Sequence, residues 1–152
     1  MKKRIQRLKR SDPAVIRLWV AAGGRCEFNG CNKYLLKDKK TDQDIFLADI
    51  AHIVAISKNG PRGNDKLPLN QRNNIENLML LCLEHHRIVD NKELVKKYPK
   101  DMLIEYKEQH ENRIQKISSI KPGDLTKIIR LQGKIRSDQI AISKEQMLAV
   151  AE

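Results

Sequence analysis

From residue 13 the chain sets Ala14, Val15, Leu18, Trp19 and Ala22 on one face of a helix. Ser11-Asp12-Pro13 supplies a capping side chain and a proline at the first helical position, and Gly23-Gly24 supplies the stop. Residues 27–44 are polar and turn-rich, with Asn29-Gly30 early and the charged stretch KDKKTDQD late. Apolar and β-branched residues then dominate 45–56 and predict a strand with His52 near its far end. The stretch SKNGPRGNDKLPLNQRNN reads as a long loop, a length that compact domains keep mainly for function. LMLLC predicts a second strand and LEHHRIVDN a short helix, so 45–91 reads strand, loop, strand, helix.

Residues 99–117 form the clearest helical pattern, with Leu103, Tyr106, His110, Ile114 and Ile117 at spacings of three and four. His110 on that stripe is expected to be packed and hydrogen-bonded rather than a metal ligand. Pro122-Gly123 marks a linker over 119–124. Beyond it, TKIIRLQGKI and QIAI suggest strands, and Ser143 with Gln146 fits a capping box for a last helix bearing Met147, Leu148 and Val150. An isolated helix shorter than ~12 residues is marginal in water. The expectation is therefore a basic arm over 1–12, one domain over 13–118, and the start of a second domain or a C-terminal extension over 125–152.

Charge sharpens this picture by its position. Residues 1–40 hold 12 Lys and Arg against three acids, whereas the rest of the chain is close to balanced; the total is +11. A basic excess confined to one end favours a polyanion such as nucleic acid as partner; the plainer reading is a solvated tail. Aromatic residues are only 4% of the chain, so the core lacks the side chains that bury most area, and a bound metal would help it. Three cysteines, no apolar segment after the basic MKKRIQRLKR and no run of transmembrane length lead to the expectation of a reducing, cytoplasmic setting without a membrane partner.

Those cysteines fall into two short-spaced pairs with a histidine, Cys26-x4-Cys31 and Cys82-x2-His85. Three thiolates and one imidazole suit a tetrahedral zinc, and with four protein ligands such a zinc is structural. The bland alternative is three unrelated buried cysteines. The x2 spacing favours His85 over His86 as the ligand, which leaves His86 about 100° further round a helix and free for another task.

The segments ADIAHIVAISKNGPRG, NNIENLMLLCLEHHRIVDN and YPKDMLIEYKEQHENRI, taken in order, resemble the HNH endonucleases over roughly residues 20–115. The resemblance implies an α+β fold: a small zinc-stabilised ββα-metal unit flanked by helices, with a short C-terminal β/α extension. It also implies that His52 is the general base and that Asn77 braces the active-site loop or assists that histidine. His86 would bind a catalytic Mg²⁺ or Mn²⁺, and Cys26, Cys31, Cys82 and His85 a structural Zn²⁺. Many members carry an acidic ligand directly before the first histidine, where this chain has Ala51. Asp49 is the nearest candidate, about 6.6 Å along the strand from that position.

The implied activity is metal-dependent hydrolysis of phosphodiester bonds in double-stranded DNA, leaving 5′-phosphate ends. Little sequence preference is expected, since nothing resembles a base-reading module. Lys58, Arg62 and Arg72, in the loop between the two histidine-bearing elements, are the expected phosphate contacts. The nuclease part followed by TKIIRLQGKIRSDQIAISKEQMLA is also similar to antiphage (CBASS) effectors in which an HNH nuclease precedes a SAVED sensor domain. That likeness implies a cyclic oligonucleotide as activator and a homo-oligomeric assembly. The alternatives are a restriction or homing type of nuclease, and a zinc-stabilised DNA-binding module without catalysis.

Overall fold

The computed structural model describes residue 9 and residues 12–121. The chain divides into two compact units, Met1–Gln115 and Lys116–Glu152. The strands and helix expected over 125–152, the arm over 1–8 and Ser11 lie outside the described residues.

Helix α1 spans Pro13–Ala21 and starts at the expected proline. It buries Val15 and Leu18, and Ala22 just beyond its end is buried as well. Gly23 and Gly24 both take positive φ, 59° and 64°, which turns the chain back toward Cys26. Strand β1, Ala48–His52, pairs antiparallel with β2, Leu78–Cys82, in a two-stranded sheet. His52 faces Leu78 and Asp49 faces Leu81 in this register. Helix α2, Leu83–Val89, follows β2 without a loop, and α3, Lys100–Ser118, is the last described helix. The described part is thus an α+β unit. Its core is the fully buried β2, against which Leu18, Leu35, Ile53, Val89 and Leu103 cluster.

The first strand is shorter than the apolar run over 45–56. Ile45 and Phe46 are exposed, and the amides of Ile45 and Leu47 donate to Leu36 and Leu35 rather than to β2. After His52 the chain leaves the sheet because its backbone bonds go to a side chain: Val54 N donates to Asn77 Oδ1, and Asn77 Nδ2 donates to Val54 O. β-Branched residues here serve core packing, with Ile53 and Val54 fully buried, and not strand extension.

The glycine-rich loop is ordered by two arginines. Arg72, 3% exposed, donates from all three guanidinium nitrogens to five backbone carbonyls, those of Ala55, Ile56, Gly63, Asp65 and Leu67. Gly63 is required by close approach, since a Cβ there would lie 2.1 Å from Ser57 O. Arg62, at a left-handed φ of 54°, donates to Ile53 O, Val89 O and Tyr98 O and pairs with Asp90 at 2.7 Å. Arg62 and Arg72, the expected phosphate contacts, thus spend their guanidinium donors on groups of the protein itself. Together they serve eight backbone carbonyls, three for Arg62 and five for Arg72, that would otherwise lack these partners. Lys58 is exposed, as a phosphate contact requires.

In α3, Leu103 and His110 are buried as the stripe predicts, but Ile117 is 59% exposed. The stripe also conceals Lys107, which is buried because it lies against Glu27.

Candidate metal centres

The first centre is built by a turn and a helix start. Gly30, at φ 78°, lets residues 26–31 double back, with Cys31 N donating to Phe28 O at 3.0 Å. Cys82 is the N-cap of α2 and its sulfur accepts from His85 N at 3.5 Å, so the helix start aims both ligands of the second pair the same way. The Sγ atoms of Cys26, Cys31 and Cys82 and a ring nitrogen of His85 lie within 4.8 Å of one another. His85 Nδ1 is 3.1 Å from Cys82 Sγ and 3.7 Å from Cys26 Sγ. Ligand atoms on a tetrahedral zinc, with bonds of about 2.3 Å to sulfur and 2.0–2.1 Å to nitrogen, are roughly 3.5–3.8 Å apart. This Cys₃His cluster could therefore hold a metal such as zinc, with Nδ1 as the imidazole donor.

Its surroundings suit a cation. Burial pushes the Cys26 thiol above its ordinary range, so that thiol ionises only if a positive charge is present. Burial holds His85 below its ordinary range and hence neutral, the form that binds metal. The Phe28 ring lies flat on the His85 ring, centroids 4.0 Å apart and planes within 6°, and Tyr98 and Tyr106 meet Phe28 edge-on. Half of the six aromatic residues thus hold one ligand in place. Behind them Glu27, fully buried, accepts from Leu80 N at 2.5 Å and lies 3.8 Å from Lys107 Nζ. Loss of solvent raises its carboxyl to about 8 despite that ammonium.

A second group of ionisable side chains lies on the other side of α2. His86 Nδ1 is 2.9 Å from Asp49 Oδ2, and its Nε2 is 3.3 Å from Asp90 Oδ2. Asp90 first, then Asp49, raise the imidazole above its ordinary range against the opposing effect of burial. Asp49 thus stands beside His86 although it lies three residues before His52 and not one. The strand faces Leu81 at Asp49, and α2 begins immediately after β2, so the helix returns over that end of β1.

His52, at the far end of β1, is partly exposed, and its Nε2 is 2.9 Å from Asn73 Oδ1. An amide oxygen only accepts, so Nε2 is the donor, and in the neutral ring Nδ1 is the nitrogen left with a free lone pair. Among the described residues nothing hydrogen-bonds to that Nδ1. Asn77 does not reach His52. Its amide is 5% exposed and bonds Val54 O, Val54 N and Arg72 O, tying the end of β1 to the loop. Of the two roles implied for Asn77, bracing is the one its bonds serve, and Asn73 is the partner of His52.

Asn73 and Asp90 were not among the expected site residues. For Asp90 a signal exists: His86 and Asp90 are four apart on one helix, and an acid at a helix C-terminus opposes the dipole unless something compensates it. For Asn73 no spacing rule applies, because it comes from an irregular loop.

No protein-family model matches the chain, and no curated protein matches it. Among the described residues no helix is long and apolar enough to cross a membrane.

Proposed function

We propose that the chain is a metal-dependent endonuclease of the HNH type that hydrolyses phosphodiester bonds in DNA. The observation that carries this reading is the pairing of Asp49 Oδ2 with His86 Nδ1 at 2.9 Å, three residues along β1 from the oriented imidazole of His52. A half-exposed carboxylate beside an imidazole is a donor set that accepts Mg²⁺ or Mn²⁺ while leaving room for water. Bound there, such a cation would neutralise charge on the non-bridging and leaving oxygens of a phosphodiester.

The rest falls to the chain's own groups. His52 Nδ1 takes the proton of the attacking water, a task histidine performs near neutral pH. Asn73 holds the ring in that tautomer, and Asn77 with Arg72 keeps the loop that carries Asn73 in register. The Cys₃His cluster holds β2 and α2 together, and so fixes where His86 stands. Lys58 and the basic excess over residues 1–40 supply attraction to the phosphate backbone.

The test is cleavage of supercoiled plasmid by zinc-loaded protein with Mg²⁺ or Mn²⁺, with and without a cyclic oligonucleotide. Wild type is expected to nick and linearise, leaving ligatable 5′-phosphate ends, and His52→Ala to lose at least ~100-fold of the rate, the lower range for a positioned general base. A wild type that retards DNA in a gel yet never cuts it, with any of these additions, would leave the non-catalytic binding module as the correct reading.

A further inference from the structure

We infer that Asp90, clamped by Arg62, is a positioning residue that selects which nitrogen of His86 faces the catalytic cation. It keeps the ring proton on Nε2 and leaves Nδ1 for the ion beside Asp49. This rests on the metal-dependent nuclease reading above and adds residues that the resemblance does not name.

The two carboxylates flanking His86 are not equivalent. Asp90 uses both oxygens: Oδ1 is 2.7 Å from Arg62 Nη2 and Oδ2 is 3.3 Å from His86 Nε2. Arg62 is itself anchored on the carbonyls of Ile53, Val89 and Tyr98, and only 8% of its side chain is exposed. Asp90 therefore has its charge balanced from within and cannot swing toward solvent without stranding a buried guanidinium. Asp49 is 46% exposed, and among the described residues its carboxylate meets only His86. The open, unbalanced carboxylate marks the side that a cation would occupy.

A neutral imidazole has one N–H, so the two carboxylates cannot both accept from it. A cation placed on Nδ1 removes the conflict: the proton stays on Nε2 and is held by Asp90. Histidine ligands commonly have their second nitrogen tied to a carboxylate in this way, which fixes ring orientation and makes the free nitrogen a better donor. Arg62 extends the chain one step further, from the left-handed turn of the glycine-rich loop to the cation site.

The experiment uses the zinc-loaded full chain, with Mn²⁺ affinity measured calorimetrically and imidazole ¹⁵N shifts recorded with saturating diamagnetic Mg²⁺, so that the tautomer is read with a cation in place. Wild type is expected to carry the His86 proton on Nε2. Asp90→Ala should weaken Mn²⁺ about 10–100-fold, the usual cost of losing such a partner, and convert His86 to a mixture of tautomers. Asp90→Asn, with one acceptor oxygen in place of two, should fall between, and zinc content should stay at one per chain in both. If Asp90→Ala fails to fold, Asp90→Asn decides: wild-type Mn²⁺ affinity with an unchanged tautomer overturns the inference. A wild-type proton on Nδ1 overturns it directly. The parent reading fails separately, if wild type binds no Mn²⁺ or if His86→Ala leaves Mn²⁺ binding intact.

Discussion

His85 and His86 are consecutive, yet their imidazoles serve opposite sides of α2. His85 Nδ1 is 3.1 Å from Cys82 Sγ inside the thiol cluster, whereas His86 Nδ1 is 2.9 Å from Asp49 Oδ2. One residue of helix turns a side chain by about 100°, so neighbours on a helix never share a ligand set with this geometry.

That division predicts two different failures. His85→Ala is expected to lose zinc and cooperative unfolding together. His86→Ala is expected to keep one zinc per chain and a melting temperature within a few degrees of wild type, while plasmid cleavage disappears. Zinc analysis and thermal denaturation of the two proteins read this out, and zinc loss from His86→Ala would reverse the assignment.

Removing the metal should unfold the unit and not merely loosen it. Apparent binding energies of structural zinc are about 10–16 kcal/mol, comparable to the whole stability of about 5–15 kcal/mol expected of a domain. Without the cation, three clustered thiols, two of them buried, lose the charge that would hold them together. Helical circular dichroism is expected to fall at the same rate as a colorimetric chelator takes up zinc, and helicity that outlasts zinc release would contradict this.

Arg72→Lys should destabilise by about 2–4 kcal/mol in urea denaturation, although the charge is kept. An ammonium has three donors where the guanidinium satisfies five carbonyls, so at least two acceptors are left short, each costing about 1–3 kcal/mol if buried. A surface phosphate contact would instead tolerate lysine with stability unchanged and lose only DNA affinity.

His110 gives a pH dependence with a definite sign. Its Nε2 donates to Ala22 O at 3.0 Å and its Nδ1 receives Arg113 Nη2 at 3.0 Å, so both nitrogens are satisfied in the neutral ring. Burial, with Arg113 acting in the same direction, holds its pKa below the ordinary 6.5. The stabilisation is therefore full above that value and is lost as pH falls below it, because the unfolded chain takes up a proton that the folded one refuses. The stability advantage of wild type over His110→Gln should shrink steadily between pH 7 and 5. An advantage that grows on acidification would mean a raised pKa.

Much of the local structure was legible in the residues alone. Asp12-Pro13 and Gly23-Gly24 bound α1, LMLLC is the central strand, and Cys26, Cys31, Cys82 and His85 announce a ligand set by spacing, because caps, apolar runs and short-range ligand pairs are properties of neighbouring residues. The same holds for separating His85 from His86, which needs only the pitch of a helix. What tertiary structure decided are the partners of polar groups distant in sequence. Arg62 and Arg72 look like surface cations in a loop, but only the folded loop brings carbonyls from Ile53 to Tyr98 around them. Likewise Asn73, and not Asn77, meets His52, because hydrogen bonds in an irregular loop leave no period in the sequence, and Asp49 reaches His86 across 37 residues because the β1–β2 pairing and the start of α2 at the end of β2 bring them together.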